Sequence, residues 1–336
     1  MPRVLITGGT GFLGAHLADH FAAAGYAVRT GDVNPPDPSA PHEFVHLDVR
    51  DAAAVRAAAE DCEVIVNDAA LVPVTKSDLA TYRAVNVGGT ENVVAAARAT
   101  GAYVVHISST SLYGQPPVVP ITPQTPFIPF ETYGRSKTEA ELVVQRVRAE
   151  GMTISSLRPR TIVGTGRLGL FDVIFPRIRD GKAVPLFGKG DNLLQLLDAD
   201  DMCTAVLKAV ELRSNGSYNV GALEFGTVRE DFERLIAHAG TDARLVGVPV
   251  WAIHAVVKPL DAVGRSPFTP WHYMTAHLPY YCDVSQTVAD LDWHPQRSNA
   301  EMLINAYDWF VAHAHERGES AHRRPLEGGL AKLLRG

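Results

Sequence analysis

At 336 residues, with 46% hydrophobic and 20% charged residues, the chain has the make-up of a soluble globular protein and the length for one large α/β domain or a domain with an appended lobe. A formal charge of −6 argues against nucleic acid as a partner. Cys62, Cys203 and Cys282 are few and scattered, which suits neither a disulfide framework nor a metal site.

Pro2 to Thr7 is a short apolar run that reads as a buried strand, and it leaves no room for a signal peptide, so the expectation is a cytoplasmic protein. Glycines follow at 8, 11 and 14, and a helical segment then runs to Ala24 and stops at Gly25. Strand, glycine turn and helix make a dinucleotide-binding opening. Gly8 allows the tight turn, Gly11 lets backbone N–H groups approach a pyrophosphate, and Gly14 lets the helix pack closely on the strand. Tyr26 to Gly31 is a second strand with Asp32 at its tip, where a carboxylate accepts from ribose hydroxyls and repels a 2′-phosphate. NAD is therefore favoured over NADP. Arg29 is the one cation near enough to argue otherwise.

An exposed Pro-rich loop spans 34–41, and Glu43 to Leu47 is the third strand. Asp51 caps a helix to about Glu60, and Glu63 to Asn67 is the fourth strand, followed by the small residues Ala69 and Ala70. A long helix is expected from Ser77 to Thr100, then a fifth strand from Tyr103 to Ser108. The Pro-rich loop Gln115 to Pro129 is longer than a structural connection needs, as site-lining loops are. A helix starts near Thr132, and Thr153 to Arg158 is the sixth strand. Strands separated by helices give a Rossmann-type, doubly wound parallel sheet. Beyond it come a helix at 168–180, an extended run at 183–187, a helix at 198–213 and a strand at 217–220.

This divides the chain into a dinucleotide-binding domain, 1–159 plus about 198–222, a smaller mixed C-terminal substrate lobe, about 160–197 and 223–310, and a tail at 311–336 carrying Arg323, Arg324, Lys332 and Arg335. Leu245 to Val263 is apolar but broken by Pro249, His254, Lys258 and Pro259, so it reads as a buried or oligomer-facing helix, with docking on a membrane surface as the alternative, and not as a transmembrane segment.

The chemistry sits in Tyr133-Gly134-Arg135-Ser136-Lys137, which places a phenol and an ammonium one helical turn apart. A tyrosine is a poor base at its reference pKa of about 10, and an adjacent cation brings that value down. A serine-rich strand end, Ser108 to Ser111, precedes it, and one hydroxyl there can hold a substrate oxygen. The hydroxyls of Ser108 and Ser111 are expected to serve loop backbone instead.

Taken together, the chain resembles the extended short-chain dehydrogenase/reductase superfamily, in its NAD-dependent epimerase/dehydratase group. The likeness covers roughly residues 3–310. It rests on TGGTGFLG at the start, Asp32, LDV at 47–49, Ala69-Ala70, NVGGT at 86–90, SSTSLYG at 108–114, YGRSK at 133–137, RPRTIVG at 158–164, DADDM at 198–202 and YNVG at 218–221. The resemblance implies that Gly8, Gly11, Phe12, Leu13 and Gly14 cradle the pyrophosphate of NAD, that Asp32 binds ribose and that Asp48 and Val49 hold adenine. It implies that Ala69, Ala70 and Asn86 line the cofactor cleft and that Pro159 sits by the nicotinamide amide. Tyr133 becomes the catalytic acid/base, Lys137 binds the nicotinamide ribose, and Ser109 is the catalytic hydroxyl. Thr110, Arg160 and Thr161 are the candidate substrate contacts. The resemblance also implies a homodimer through the helices around 77–100 and 131–150.

Departures narrow the activity. Thr110 and Ser111 stand where dehydratases of this kind carry an Asp-Glu pair, so elimination of water has no acid placed for it. Thr161 and Leu194 stand where nucleotide-sugar epimerases carry an Asn and a diphosphate-gripping Arg, with Arg160, Arg167, Arg177, Arg179 or Arg229 left to substitute. The primary expectation is a dehydrogenase or ketoreductase acting on a small-molecule secondary alcohol or ketone. The alternative is a UDP-sugar 4-epimerase with tightly bound NAD. A non-catalytic NAD sensor would have no use for Ser109, Tyr133 and Lys137 together.

Overall fold

The computed structural model describes residues 1–75, 77–166, 168–262, 266 and 268–313. Seven strands form one parallel sheet: β1 (Arg3–Thr7), β2 (Ala27–Asp32), β3 (Glu43–His46), β4 (Val64–Asn67), β5 (Tyr103–Ile107), β6 (Ile154–Pro159) and β7 (Ser217–Val220), in the order β7-β6-β5-β4-β1-β2-β3. The chain leaves β1 in one direction and returns at β4 in the other, so the switch point lies at the carboxyl ends of β1 and β4, where an open α/β sheet binds ligands. This is the doubly wound arrangement that the alternation of strands and helices predicts.

Each face has its own core. Helices α1 (Phe12–Ala23) and α5 (Ala199–Glu211) cover one face through Leu17, Phe21, Met202 and Val206 against Val4, Ile6 and Val105. Helices α2 (Ala52–Ala58), α3 (Gly89–Thr100) and α4 (Thr132–Ala149) cover the other, with Val55, Val93, Val94 and Val144 against Leu5, Ile65 and Val104. Caps fix the helix starts as the sequence indicates. The Asp51 carboxylate accepts from Ala53 N at 2.9 Å and Ala54 N at 3.1 Å, and Asp198 caps α5.

The long helix expected from Ser77 is not continuous. An α-helical turn, Leu79–Tyr82, widens to π geometry over Arg83–Gly88 before α3 begins at Gly89. Such widening often marks functional segments, and here it carries Asn86.

The described residues divide into two compact units, Met1–Ile162 with Leu197–Gly221 and Cys282–Gln296, and Val163–Leu196 with Ala222–Tyr281 and 297–313. Residues 282–296, which the sequence reading places in the second lobe, fall with the unit that holds the sheet. The reason is burial. Trp293 is 1% exposed with its Nε1 donating to Asp201 O at 3.1 Å, and Thr287 donates to Asn219 O at 2.6 Å.

The second unit has a separate core of Phe175, Ile178, Leu186, Phe232, Leu235 and Phe310. Within it the apolar run from Leu245 resolves into a strand, Arg244–Val248, pairing in parallel with Ala183–Phe187, and a helix, Val250–Ala262. Among the described residues no helix is long and apolar enough to cross a membrane. Arg323, Arg324, Lys332 and Arg335 of the expected tail lie outside the described residues.

Candidate active site

The turn after β1 is built around contacts that a side chain would destroy. Gly8 has a φ of +72°, and a Cβ there would lie 2.9 Å from the backbone of Ala69. A Cβ on Gly14 would lie 2.2 Å from Gly8 O, so α1 begins against the turn itself. Gly8 N and Gly9 N both donate to Gly31 O, at 2.8 and 3.2 Å, tying the turn to the end of β2. Gly11 starts α1 with no side-chain cap, and the first turn carries no acid. The N–H groups of that first turn and the helix dipole suit an anion such as a pyrophosphate. Leu13 is buried in the core while Phe12 meets His16 edge-on at 5.2 Å, so both side chains are engaged in packing.

Asp32 ends β2, half-buried, with its carboxylate accepting from Thr10 N at 3.3 Å and Asn34 N at 3.0 Å. The Arg29 guanidinium is committed elsewhere, donating to Ala58 O at 2.8 Å, Glu60 O at 2.9 Å and Glu43 Oε1 at 2.7 Å. The cation that argued for NADP is thus held away from Asp32, and the residues present fit NAD. Asp48 is paired with Arg50 at 2.9 Å, and that bond holds its carboxyl below the ordinary range. Val49 packs in the core beneath Gly89, where a Cβ would come within 2.7 Å of it. Ala69 N donates to Thr7 Oγ1 at 3.2 Å, which places Ala69 and the half-buried Ala70 at the switch point.

Tyr133 lies in the first turn of α4. The Glu131 carboxylate caps that turn, accepting from Tyr133 N at 2.8 Å and Gly134 N at 2.5 Å. One turn on, the Lys137 ammonium is 4% exposed and donates to Ile107 O at 2.7 Å. Burial lowers its pKa to about 8, against the pull of the Asp68 and Glu141 carboxylates. A Cβ on Gly134 would sit 2.8 Å from Ser111 O, so α4 begins in close contact with the short 3-10 turn Thr110–Tyr113. Ser109 caps that turn, its Oγ accepting from Ser111 N at 3.1 Å, and is half-buried. The fold therefore gathers Ser109, Tyr133 and Lys137 at the carboxyl end of β5.

Other predicted residues do different things. Asn86 is 2% exposed, and its amide is divided between Leu71 N at 2.8 Å, Leu71 O at 3.2 Å and Ser136 Oγ at 2.9 Å. It clamps the segment after β4 to α4 and does not present its side chain to the cleft. Thr110 donates to Pro159 O at 3.1 Å and accepts from Arg160 Nη1 at 3.1 Å, and both Thr110 and Arg160 are 3% exposed, so they brace the end of β6. Thr161 is exposed. The hydroxyls of Ser108 and Ser111, expected to serve backbone, are buried with no hydrogen-bond partner among the described residues. In the second unit Leu194 packs against the apolar core. There Arg177 donates to Ala183 O at 2.6 Å, Arg229 to Lys189 O at 2.8 Å, and Arg179 pairs with Asp180 at 2.8 Å. Arg167 lies outside the described residues.

One feature that sequence reasoning missed lies directly behind Lys137. Glu141 and Arg158 are 0% and 1% exposed and meet at 2.6 Å. Burial alone would raise the Glu141 pKa, but Arg158 overrides it and brings the value to about 2. Arg158 also donates to Tyr113 OH at 2.8 Å and Pro123 O at 3.0 Å. The available signal was a glutamate one helical turn beyond Lys137, set among Ala140, Val143 and Val144.

A model of the NAD-dependent epimerase/dehydratase family matches residues 4–221. The uncharacterized protein y4nG of Sinorhizobium fredii is 34% identical, over 98% of this chain and 85% of its own length. A UDP-glucose 4-epimerase of Mycolicibacterium smegmatis is 30% identical, over 65% of this chain and 77% of its own length. Among solved structures, a UDP-glucose 4-epimerase from Thermotoga maritima superposes with a TM-score of 0.77 at 22% identity, covering 93% of this chain and all of that one.

Proposed function

We propose that this chain, which belongs to the NAD-dependent epimerase/dehydratase family, transfers hydride at a secondary alcohol or ketone carbon with Tyr133 as acid/base. The observation that carries the reading is the Lys137 ammonium, buried and fixed on Ile107 O one helical turn from the Tyr133 phenol. Bound NAD supplies a carbon that accepts hydride and returns it. The chain does the rest. The glycine turn and the start of α1 hold the pyrophosphate, and Asp32 holds the adenosine ribose. Lys137 stays charged at pH 7 and favours the phenolate of Tyr133, which takes the proton from the substrate hydroxyl. Ser109 donates a hydrogen bond to the same oxygen and keeps it in place. No carboxylic acid adjoins Ser109, so loss of water has no proton donor there.

Net oxidation or reduction is favoured by Leu194 and Thr161, which provide neither the charge nor the amide expected for gripping a nucleoside diphosphate. The second reading, a UDP-sugar 4-epimerase, is favoured by the names of the relatives from M. smegmatis and T. maritima. The two are separated by incubating the purified protein with NAD and either a series of secondary alcohols or a series of UDP- and TDP-sugars. The first reading expects free NADH from an alcohol. Sugar interconversion without free NADH would establish the second and remove the first. We further infer a cytoplasmic homodimer contacting through α3 and α4, which sedimentation of the full chain tests.

A further inference from the structure

A polar row crosses the sheet at a single register. Thr7 of β1 aligns with Asn67 of β4, Asn67 with His106 of β5, His106 with Ser156 of β6, and Ser156 with Ser217 of β7. Thr7, Asn67, His106 and Ser156 are all at most 3% exposed. The row faces α3 and α4. Its far end belongs to the ion pair, since Ser156 and Ser217 donate to Glu141 at 2.6 and 3.1 Å.

Its near end is a directed chain. Ala69 N–H donates to Thr7 Oγ1 at 3.2 Å, and the Thr7 hydroxyl donates to Asn67 Oδ1 at 3.2 Å. The Thr90 hydroxyl donates to Asn86 O at 2.7 Å, so towards Asn67 it can only accept, and Asn67 Nδ2 reaches it at 3.1 Å. Both ends thus orient the Asn67 amide the same way. Its second N–H then meets His106 Nδ1 at 3.1 Å, which must accept. The imidazole proton is left on Nε2, a buried atom with no partner among the described residues.

Burial, and after it the Lys137 charge, keep the ring neutral with a pKa of about 3. Lys137 itself is bonded to the carbonyl of Ile107, the residue after His106. An ammonium has three hydrogens, and one is taken by that carbonyl.

We infer that Asn67 is a positioning residue of the proposed reaction. By holding His106 as the Nε2–H tautomer it keeps an acceptor lone pair off the ring edge that Asn67 does not occupy, so that the Lys137 ammonium, bonded to the next residue of β5, keeps two N–H groups for the cofactor ribose and the Tyr133 phenol. The opposite tautomer would offer that lone pair in a water-poor site, where a charge-assisted hydrogen bond competes strongly. The inference rests on the reading of Lys137 given above.

Histidine-selective ¹⁵N labelling of the full chain reads the tautomer directly, with the His106 signals assigned by their loss in His106→Phe. At pH 7 the expected result is a protonated Nε2 and a bare Nδ1, and the reverse overturns the proposal whatever the activity. This measurement needs no change at Asn67, so it decides even where such a change fails to fold. Asn67→Asp replaces the donor to Nδ1 by an acceptor and draws the proton to that nitrogen. Calorimetry with NAD should then show roughly tenfold weaker binding, but less than about a twofold loss for the same substitution made in the His106→Phe background. Equal losses in the two backgrounds overturn the proposal, because Asn67 would then act only through Thr7 and the glycine turn. Lys137→Met separates this failure from that of the underlying reading. Unchanged NAD affinity there removes Lys137 from the cofactor and takes the proposal with it, whereas weakened affinity without the coupling overturns the proposal alone.

Discussion

The two faces of the sheet are built on opposite plans. Under α1 and α5 the strands present Val4, Ile6, Val66, Val105 and Leu157, and the helices answer with Leu17, Phe21, Met202 and Val206. Under α3 and α4 the same strands carry Leu5, Ile65, Val104 and Ile154, but two residues further on they switch to Thr7, Asn67, His106 and Ser156. The helix above that row brings Lys137 and Glu141 into the interior. One face maximises apolar burial. The other gives up apolar area at the carboxyl end and holds charged groups dry and in register there, where the proposed chemistry lies. Stability and chemistry are thereby assigned to different faces of one sheet.

Substitutions that act on only one plan test this division. The largest effect is expected from Tyr133→Phe, which removes the proposed acid/base oxygen and keeps the ring packed edge-on to Tyr82 at 6.4 Å. Turnover should fall by about 10²–10⁴-fold, the usual worth of a positioned proton-transfer group, with thermal midpoint and NAD affinity almost unchanged. Retained turnover would refute the role of the phenol. Next comes Arg158→Ala, which leaves the Glu141 carboxylate, 0% exposed, without its cation. Urea unfolding should show a loss of about 3–5 kcal/mol, most of it recovered when Glu141→Leu is added. On the other face Met202→Ala, at a fully buried position, should cost about 2–5 kcal/mol with turnover per folded molecule unchanged. A comparable fall in turnover there would show that the two plans are coupled.

The sheet, the glycine turn and the Tyr133–Lys137 pair are legible in the sequence because each is local. Strand periodicity, glycine spacing and a four-residue helical step are written in a few consecutive residues. The polar row is not, because it depends on register. Asn67, His106 and Ser156 lie about forty to fifty residues apart and become neighbours only when β4, β5 and β6 align. Asn86 was found as part of NVGGT, yet its partners Leu71 and Ser136 follow from the π-widened segment, for which the sequence carries no clear mark. The return of 282–296 to the sheet was hidden for the same reason. It is settled by the pocket that receives Trp293, and not by anything in the segment itself.

The smallest expected effect is also the sharpest test of the division, because it raises stability. The Lys137 pKa of about 8 in the folded chain lies below its value of 10.5 in the open chain, a depression caused by burial. Below pH 8 both states carry the proton, and the folded state bears the full cost of a dry charge. Between pH 8 and 10.5 the unfolded chain holds more protons than the folded one, so this group's contribution to stability rises with pH. Lys137→Met keeps the length of the side chain and removes the charge. At pH 7 the variant should therefore be more stable than the parent, by at most about 3 kcal/mol, and the gap should close as pH rises through that window. Urea unfolding at pH 7 and pH 9.5 reads both the sign and the trend. A variant less stable than the parent at pH 7 would mean that the bond from Nζ to the Ile107 carbonyl outweighs burial. The ammonium would then be part of the scaffold, and the polar face would serve stability as the apolar one does.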